Sequence, residues 1–170
     1  MSGRWLLFFD LDGTLWDHKD ISSLDPPFRR LSPLRIADSR GVVVTVYEDS
    51  LKLLKWARSR GAIVSALSWN DHMIAVSALE SLGVLGLFDY LAIEPHPGKG
   101  DMARRVIESL RKERGLELSP CRIIYIDDRD IHVNDVREKI GDIAFLMAWR
   151  DFKSFEEATE RIESILSSCS

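Results

Sequence analysis

Asp10 and Asp12 stand one residue apart in "FFDLDGTLWD", directly behind the apolar run Trp5 to Phe9, and a second acid pair, Asp127-Asp128, ends another apolar run, "RIIYI". Ser68-Trp69-Asn70 closes a third run, "AIVSAL", and Lys99 follows the loop Pro95-His96-Pro97-Gly98. A lone Asp after a strand is usually a turn or cap residue, a lone Lys usually solvated, and a lone Ser often a cap. The combination asks for more. Three or four carboxylates in one place repel one another unless a cation sits among them. Oxygen donors without His or Cys select a hard ion, and Mg²⁺ characteristically takes one or two carboxylates, several waters and a substrate phosphate. Ser68 and Lys99 then read as groups that hold the phosphate.

The elements between these residues must bring them to one edge. Apolar spacing and end signals predict helices over about 48–60, 70–82, 99–114, 134–139 and 154–166, alternating with strands at 5–9, 62–67, 88–94, 122–126 and 143–147. Strands that are apolar throughout and alternate with helices imply an α/β fold: three layers, a doubly wound Rossmann-like parallel sheet covered on both faces. In such sheets functional groups gather at the carboxyl ends of the strands. Pro26, Pro27 and Pro33, with Ser22, Ser23, Ser32 and Ser39, break the pattern after the first strand, so residues about 17–46 are expected to form a loop-rich flap with at most a short strand before "GVVVTV".

The 170 residues suit one domain, 1–170, with 45% apolar and 29% charged residues and a net charge of -4. That balance offers no general attraction to nucleic acid or to an anionic membrane, and no stretch reaches the roughly 18 apolar residues of a span. The expectation is a cytoplasmic monomer with no nucleic-acid or membrane partner. Cys121 and Cys169 lie far apart, outside any zinc-ligand spacing, and are expected to be reduced thiols.

In the order Asp-x-Asp, Ser, Lys, Asp-Asp, these residues resemble the four motifs of the haloacid dehalogenase superfamily of phosphotransferases. "DLDGTLW", "DPPF" at Asp25 to Phe28, Ser68, the Pro-Gly-Lys stretch and Asp127-Asp128 are similar to the magnesium-dependent phosphatase 1 family across nearly the whole chain. Two departures stand out: Trp69 replaces an Arg common after the Ser, and Lys99 comes one residue nearer its Pro-Gly.

The resemblance implies a Mg²⁺-dependent phosphomonoesterase. Asp10 would be the nucleophile that forms an aspartyl-phosphate, and Asp12 the general acid, then base, with its backbone carbonyl on the metal. Asp10, Asp12, Asp128 and Asp127 are the implied metal ligands, with Asp127 direct or one step removed. Lys99 would neutralise the phosphoryl oxygens and the nucleophile, while Ser68 and the backbone N–H groups of Leu11, Asp12 and Trp69 complete the cradle. Asn134 or Asp135 would support the Asp pair. Between Asp10 and Ser68 only a flap and one helix fit, so the site is expected to lack a cap domain and admit bulky substrates: a phosphotyrosine or other phosphoprotein, or a small sugar phosphate. Trp16, Phe28 and Trp69 are candidates for an aromatic wall, although Trp16 and Phe28 suit flap packing equally; the four histidines receive no catalytic role.

Competing readings fit less well. A receiver-like phosphate-binding module would carry its phosphorylated Asp on a middle strand, where this chain has Ser68 and Glu94-Pro95. A glycosyltransferase Asp-x-Asp site would leave Ser68 and Lys99 idle. A dehalogenase needs neither Asp12 nor a metal, and an inactive binding protein has no reason to keep every motif residue.

Overall fold

The computed structural model describes residues 3–169. Five strands form one parallel sheet: β1 (Trp5–Phe9), β5 (Ala62–Trp69), β6 (Tyr90–Glu94), β7 (Ile123–Asp127) and β8 (Ala144–Met147), in the spatial order β6-β5-β1-β7-β8. The chain winds outward from β1 to β6, then crosses back to β7 and β8. The reversal leaves a crevice between the carboxyl ends of β1 and β7, where Asp10 and Asp127 emerge.

Period-two alternation divides β1 between two cores. Trp5, Leu7 and Phe9 pack with α1 (Glu48–Ser59), α2 (His72–Ser81) and α5 (Phe155–Ser167), whereas Leu6 and Phe8 pack with α3 (Lys99–Arg114) and α4 (Val133–Ile140). Both faces of the strand are therefore apolar, and the only positions free for chemistry are its ends. Among the described residues, no helix is long and apolar enough to cross a membrane.

Residues 17–46 are more regular than their prolines and serines suggest. A 3₁₀ turn (Ile21–Ser23) leads into a three-stranded antiparallel sheet of β2 (Arg29–Ser32), β3 (Arg35–Ala37) and β4 (Val43–Thr45). Its organiser is Asp38, a buried carboxylate that accepts hydrogen bonds from the backbone N–H groups of Asp25, Arg40 and Val42 and from the Arg40 guanidinium. Those donors hold its carboxyl down to about 2, against the opposing effect of burial. Tertiary hydrogen bonding of this kind is invisible to local pattern, which explains why a loop was expected here.

The two cysteines are a second correction. Cys121 and Cys169 are joined by a disulfide, with Cα atoms 5.5 Å apart. α5 lies against α1 and the 3₁₀ turn before β7, so its end meets Cys121 despite a sequence separation of 48.

Candidate active site

β1 leads directly into Asp10, which is 5% exposed. The next residues turn sharply: Thr14 and Leu15 N–H both donate to the Leu11 carbonyl, and Gly13 takes φ +71. A Cβ at Gly13 would lie 2.3 Å from Asp128 Oδ2, so glycine is required both by the backbone and by the approach of the second acid. Trp149, itself at φ 69, donates from Nε1 to the Gly13 carbonyl at 2.8 Å, and Ser50 Oγ donates to the Thr14 carbonyl at 2.6 Å. The acid-bearing turn is thereby fastened to the loop after β8 and to α1.

Asp10, Asp127 and Asp128 each bring a carboxylate oxygen within 4.8 Å of the others. Lys99, only 1% exposed, bridges two of them, with Nζ 3.0 Å from Asp10 Oδ1 and 2.7 Å from Asp127 Oδ2. Burial works against a charged lysine, but the two carboxylates outweigh it and hold the ammonium above its ordinary pKa. Asp127 is pushed up by burial and pulled below its usual range by Lys99, and both its oxygens are engaged: Oδ2 also accepts from the Tyr125 hydroxyl and Oδ1 from Arg129 N–H. Asp10 stands well above the usual carboxylate range, because burial and the charges of Asp127 and Asp128 together exceed the help from Lys99. Asp128 is raised for similar reasons, burial first and then Asp127. One lysine does not balance three carboxylates.

Asp12 occupies different surroundings. Its Oδ1 accepts from Trp16 Nε1 at 2.8 Å and Ile21 N–H at 3.2 Å, and its Oδ2 from Asn70 Nδ2 at 2.9 Å. Burial raises its pKa despite these bonds. The side chain stands outside the acid trio and lines a cleft of about 420 Å³ with Lys19, Trp69, Asn70, Pro95 and Arg129. A second cleft, about 230 Å³, opens at the other end of β1 beside Trp5 and Trp56, remote from every one of these acids.

Ser68 is buried near the end of β5, which stays paired two residues beyond the apolar run, since Ser68 and Trp69 still match Ile93 and Glu94 of β6. Asn70 does not cap α2; Asp71 does, accepting from Ile74 N–H at 3.0 Å. Freed from that task, Asn70 donates to both Asp12 and Ser68 Oγ (2.7 Å) and accepts from Ser22 Oγ (2.6 Å), tying flap, first strand and second motif together. Among the described residues, the Leu11 and Asp12 backbone N–H groups donate to no protein acceptor, whereas Asp10 N–H is spent on Ile126.

Lys99 is placed by its loop as well as by its partners. His96 Nδ1 accepts from Gly98 N–H at 3.1 Å, so its Nε2 carries the hydrogen donated to Glu94 Oε1 at 2.9 Å, and Glu94 is held in turn by Arg105 of α3. From the other side Asp135 Oδ2 accepts Gly100 N–H at 2.8 Å, and a Cβ at Gly100 would come within 2.5 Å of the Asp135 carbonyl. Asp135 therefore supports the start of α3 and not the Asp127-Asp128 pair, and Asn134 is exposed on the neighbouring surface.

Sequence reasoning also passed over Thr14, whose Oγ1 donates toward Asp10 Oδ2 (3.0 Å) and Asp128 Oδ1 (3.3 Å) and accepts Asp128 N–H (2.9 Å). Its place inside "DLDGTLW" was the available signal. The aromatic wall shrinks to one member: Trp16 is fully buried as a donor to Asp12, Phe28 packs on the core, and Trp69 alone is 47% exposed at the cleft.

Acid-bearing strands lie side by side at the switch point of a parallel sheet, with Ser68 supplied by β5 and Lys99 by the start of α3, so the four motifs meet at one edge. A profile of the acid phosphatase family matches residues 5–147. The chain is 31% identical over 137 residues to human magnesium-dependent phosphatase 1, an alignment covering 80% of this chain and 73% of that protein. Among solved structures it resembles a haloacid dehalogenase superfamily hydrolase from Ehrlichia chaffeensis (TM-score 0.60, 13% identity, 97% of this chain and 100% of that one). It also resembles the N-terminal phosphatase-containing part of a Bacteroides fragilis protein complexed with Mg (TM-score 0.57, 15% identity), covering 97% of this chain and 40% of the other. This chain belongs to the acid phosphatase family, and it shares its fold with a haloacid dehalogenase superfamily hydrolase.

Proposed function

We propose that this protein is a Mg²⁺-dependent phosphomonoesterase working through an aspartyl-phosphate on Asp10, with aryl phosphates, phosphotyrosine included, as its favoured substrate class. The observation that carries the reading is the partition of the acids: Asp10 lies in a trio with Asp127 and Asp128 under Lys99, while Asp12 is held apart, facing the cleft.

The trio suits a hard divalent cation, since its donors are all carboxylate oxygens, and burial followed by the charge of the neighbouring acids raises the pKa of Asp10 and Asp128. Asp10 and Asp128 would hold the ion, joined by the Asp12 carbonyl; Asp127, with both oxygens engaged, acts through Lys99. When bound, Mg²⁺ supplies neutralisation of the phosphoryl oxygens and keeps Asp10 ionised. Asp10 then attacks phosphorus, forming the Asp10 O–P bond as the bond to the leaving oxygen breaks. Asp12, whose raised pKa favours the protonated form, delivers its proton to that oxygen and afterwards takes one from the water that hydrolyses the phosphoenzyme. Lys99, Ser68 and the free N–H groups of Leu11 and Asp12 hold the phosphoryl oxygens, with Trp69 N–H assigned to the same cradle.

Trp69 supports the aryl preference, because an indole exposed at the cleft offers a stacking face to a leaving group. The flap and α1 leave that side without a cap domain, which suits phosphoprotein as well as small phosphates such as sugar phosphates.

Purified protein with Mg²⁺ should hydrolyse para-nitrophenyl phosphate, and Asp10→Asn or EDTA should abolish turnover. Borohydride trapping should label Asp10; a label elsewhere, or turnover surviving Asp10→Asn, refutes the assignment.

A further inference from the structure

His132 stands at the N-cap position of α4 with 5% of its surface exposed. Its Nε2 is a buried polar atom that finds no hydrogen-bond partner among the described residues. The other buried polar groups of the site, Asp10, Thr14, Ser68, Asn70, Lys99 and Asp127, are all paired. Leaving a buried donor or acceptor unpaired forfeits its hydration with nothing in return, so an orphan of this kind calls for an explanation such as a ligand that completes it.

The surroundings of the ring point to that ligand. One neighbour is Trp69, the residue after Ser68, met edge-on with centroids 6.5 Å apart and planes at 87°. The ring also lies within reach of the charges of Lys99, Asp127, Arg129 and Asp135. α4 is fastened to the start of α3 through Asp135 and Gly100, so His132 keeps a fixed relation to Lys99. Burial first, then Lys99, holds the imidazole below its ordinary pKa, which leaves it neutral with one N–H to give. A neutral donor adds a hydrogen bond without a second cation to repel Lys99. Depth is no bar: Ser68 and Lys99 are each 1% exposed and are still the side chains assigned to the phosphate.

We propose that His132 is a phosphate-binding residue of this site, its Nε2–H held for an oxygen of the bound phosphoryl group. The proposal rests on the phosphatase reading.

Inorganic phosphate titrated into ¹⁵N-labelled, Mg²⁺-loaded protein tests it, using wild type, His132→Phe and His132→Gln. Phe keeps the edge contact with Trp69 but has no nitrogen; Gln places an amide nitrogen near the Nε2 position. Phosphate should shift the His132 Nε2 resonance. His132→Phe should weaken phosphate binding about tenfold while its Tm stays level or rises, because an unpaired polar atom has been removed. His132→Gln should recover most of the affinity. Wild-type phosphate affinity in His132→Phe, or an Nε2 resonance indifferent to phosphate, overturns the proposal, as does a Tm loss with affinity intact, the mark of a buried water or a packing role. Failure of the wild-type protein to bind phosphate and to hydrolyse para-nitrophenyl phosphate would instead overturn the phosphatase reading.

Discussion

Asp10 and Asp12 differ by one peptide in position and by their whole surroundings in chemistry. Lys99 and the other two acids govern Asp10; Trp16, Asn70 and Ile21 govern Asp12. The Trp16 hydrogen bond lowers the Asp12 pKa against burial, so Trp16→Phe should let it climb further. In the proposed mechanism the protonated form is the acid, so the alkaline limb of kcat against pH for an alkyl phosphate should move to higher pH. A stationary limb would show that another group gives the proton. Thr14→Val removes the hydroxyl shared by Asp10 and Asp128 and should raise the Mg²⁺ concentration needed for half-maximal activity about tenfold, on the scale of a hydrogen bond to a charged group. Thr14 was legible only as part of a motif, since nothing in its type distinguishes a hydroxyl that caps a turn from one that orients two acids.

At the scale of elements, the flap and the Lys99 loop show what periodicity cannot reach. Helix and strand positions in the core followed from apolar spacing, because burial on a fixed face imposes the period. The flap sheet depends on Asp38, whose three backbone partners come from the chain on both sides of β3. Its carboxyl is lowered to about 2 in the fold, so its stabilising effect is present above the unfolded value of about 4 and disappears as pH falls toward 2. Asp38→Ala should remove that pH dependence and expose residues 25–42 to limited proteolysis at neutral pH; a flap as resistant as wild type would refute the role given to Asp38.

Over the whole molecule, two linkages set stability. The disulfide closes a loop of 48 residues, worth about 4 kcal/mol on the chain-entropy scale. Reduction, or Cys121→Ser, should therefore lower Tm by roughly 8–16 °C while kcat is preserved, the bond being at the opposite end of the sheet from Asp10. The proposed Mg²⁺ site links metal binding to protons. Asp10 and Asp128 carry raised pKa values in the metal-free fold, so protons compete with Mg²⁺ at low pH. The rise in Tm on adding Mg²⁺ should be larger at pH 7.5 than at pH 5.5, measured by calorimetry; a pH-independent rise would place the ion elsewhere.

From sequence alone came the parallel α/β architecture, the four strand-end clusters and the phosphatase class, because apolar runs fix which strands are buried and the polar residues can only lie at their ends. Tertiary structure decided the division of labour. It turned Asp12 away from the acid trio, occupied both oxygens of Asp127, made Trp16 a buried donor, recruited Asn70 and Thr14, and left His132 Nε2 without a hydrogen-bond partner among the described residues. Each of those outcomes depends on contacts between residues far apart in the chain, where distance and burial set a side chain's hydrogen bonds and charge, and local spacing has no hold on either.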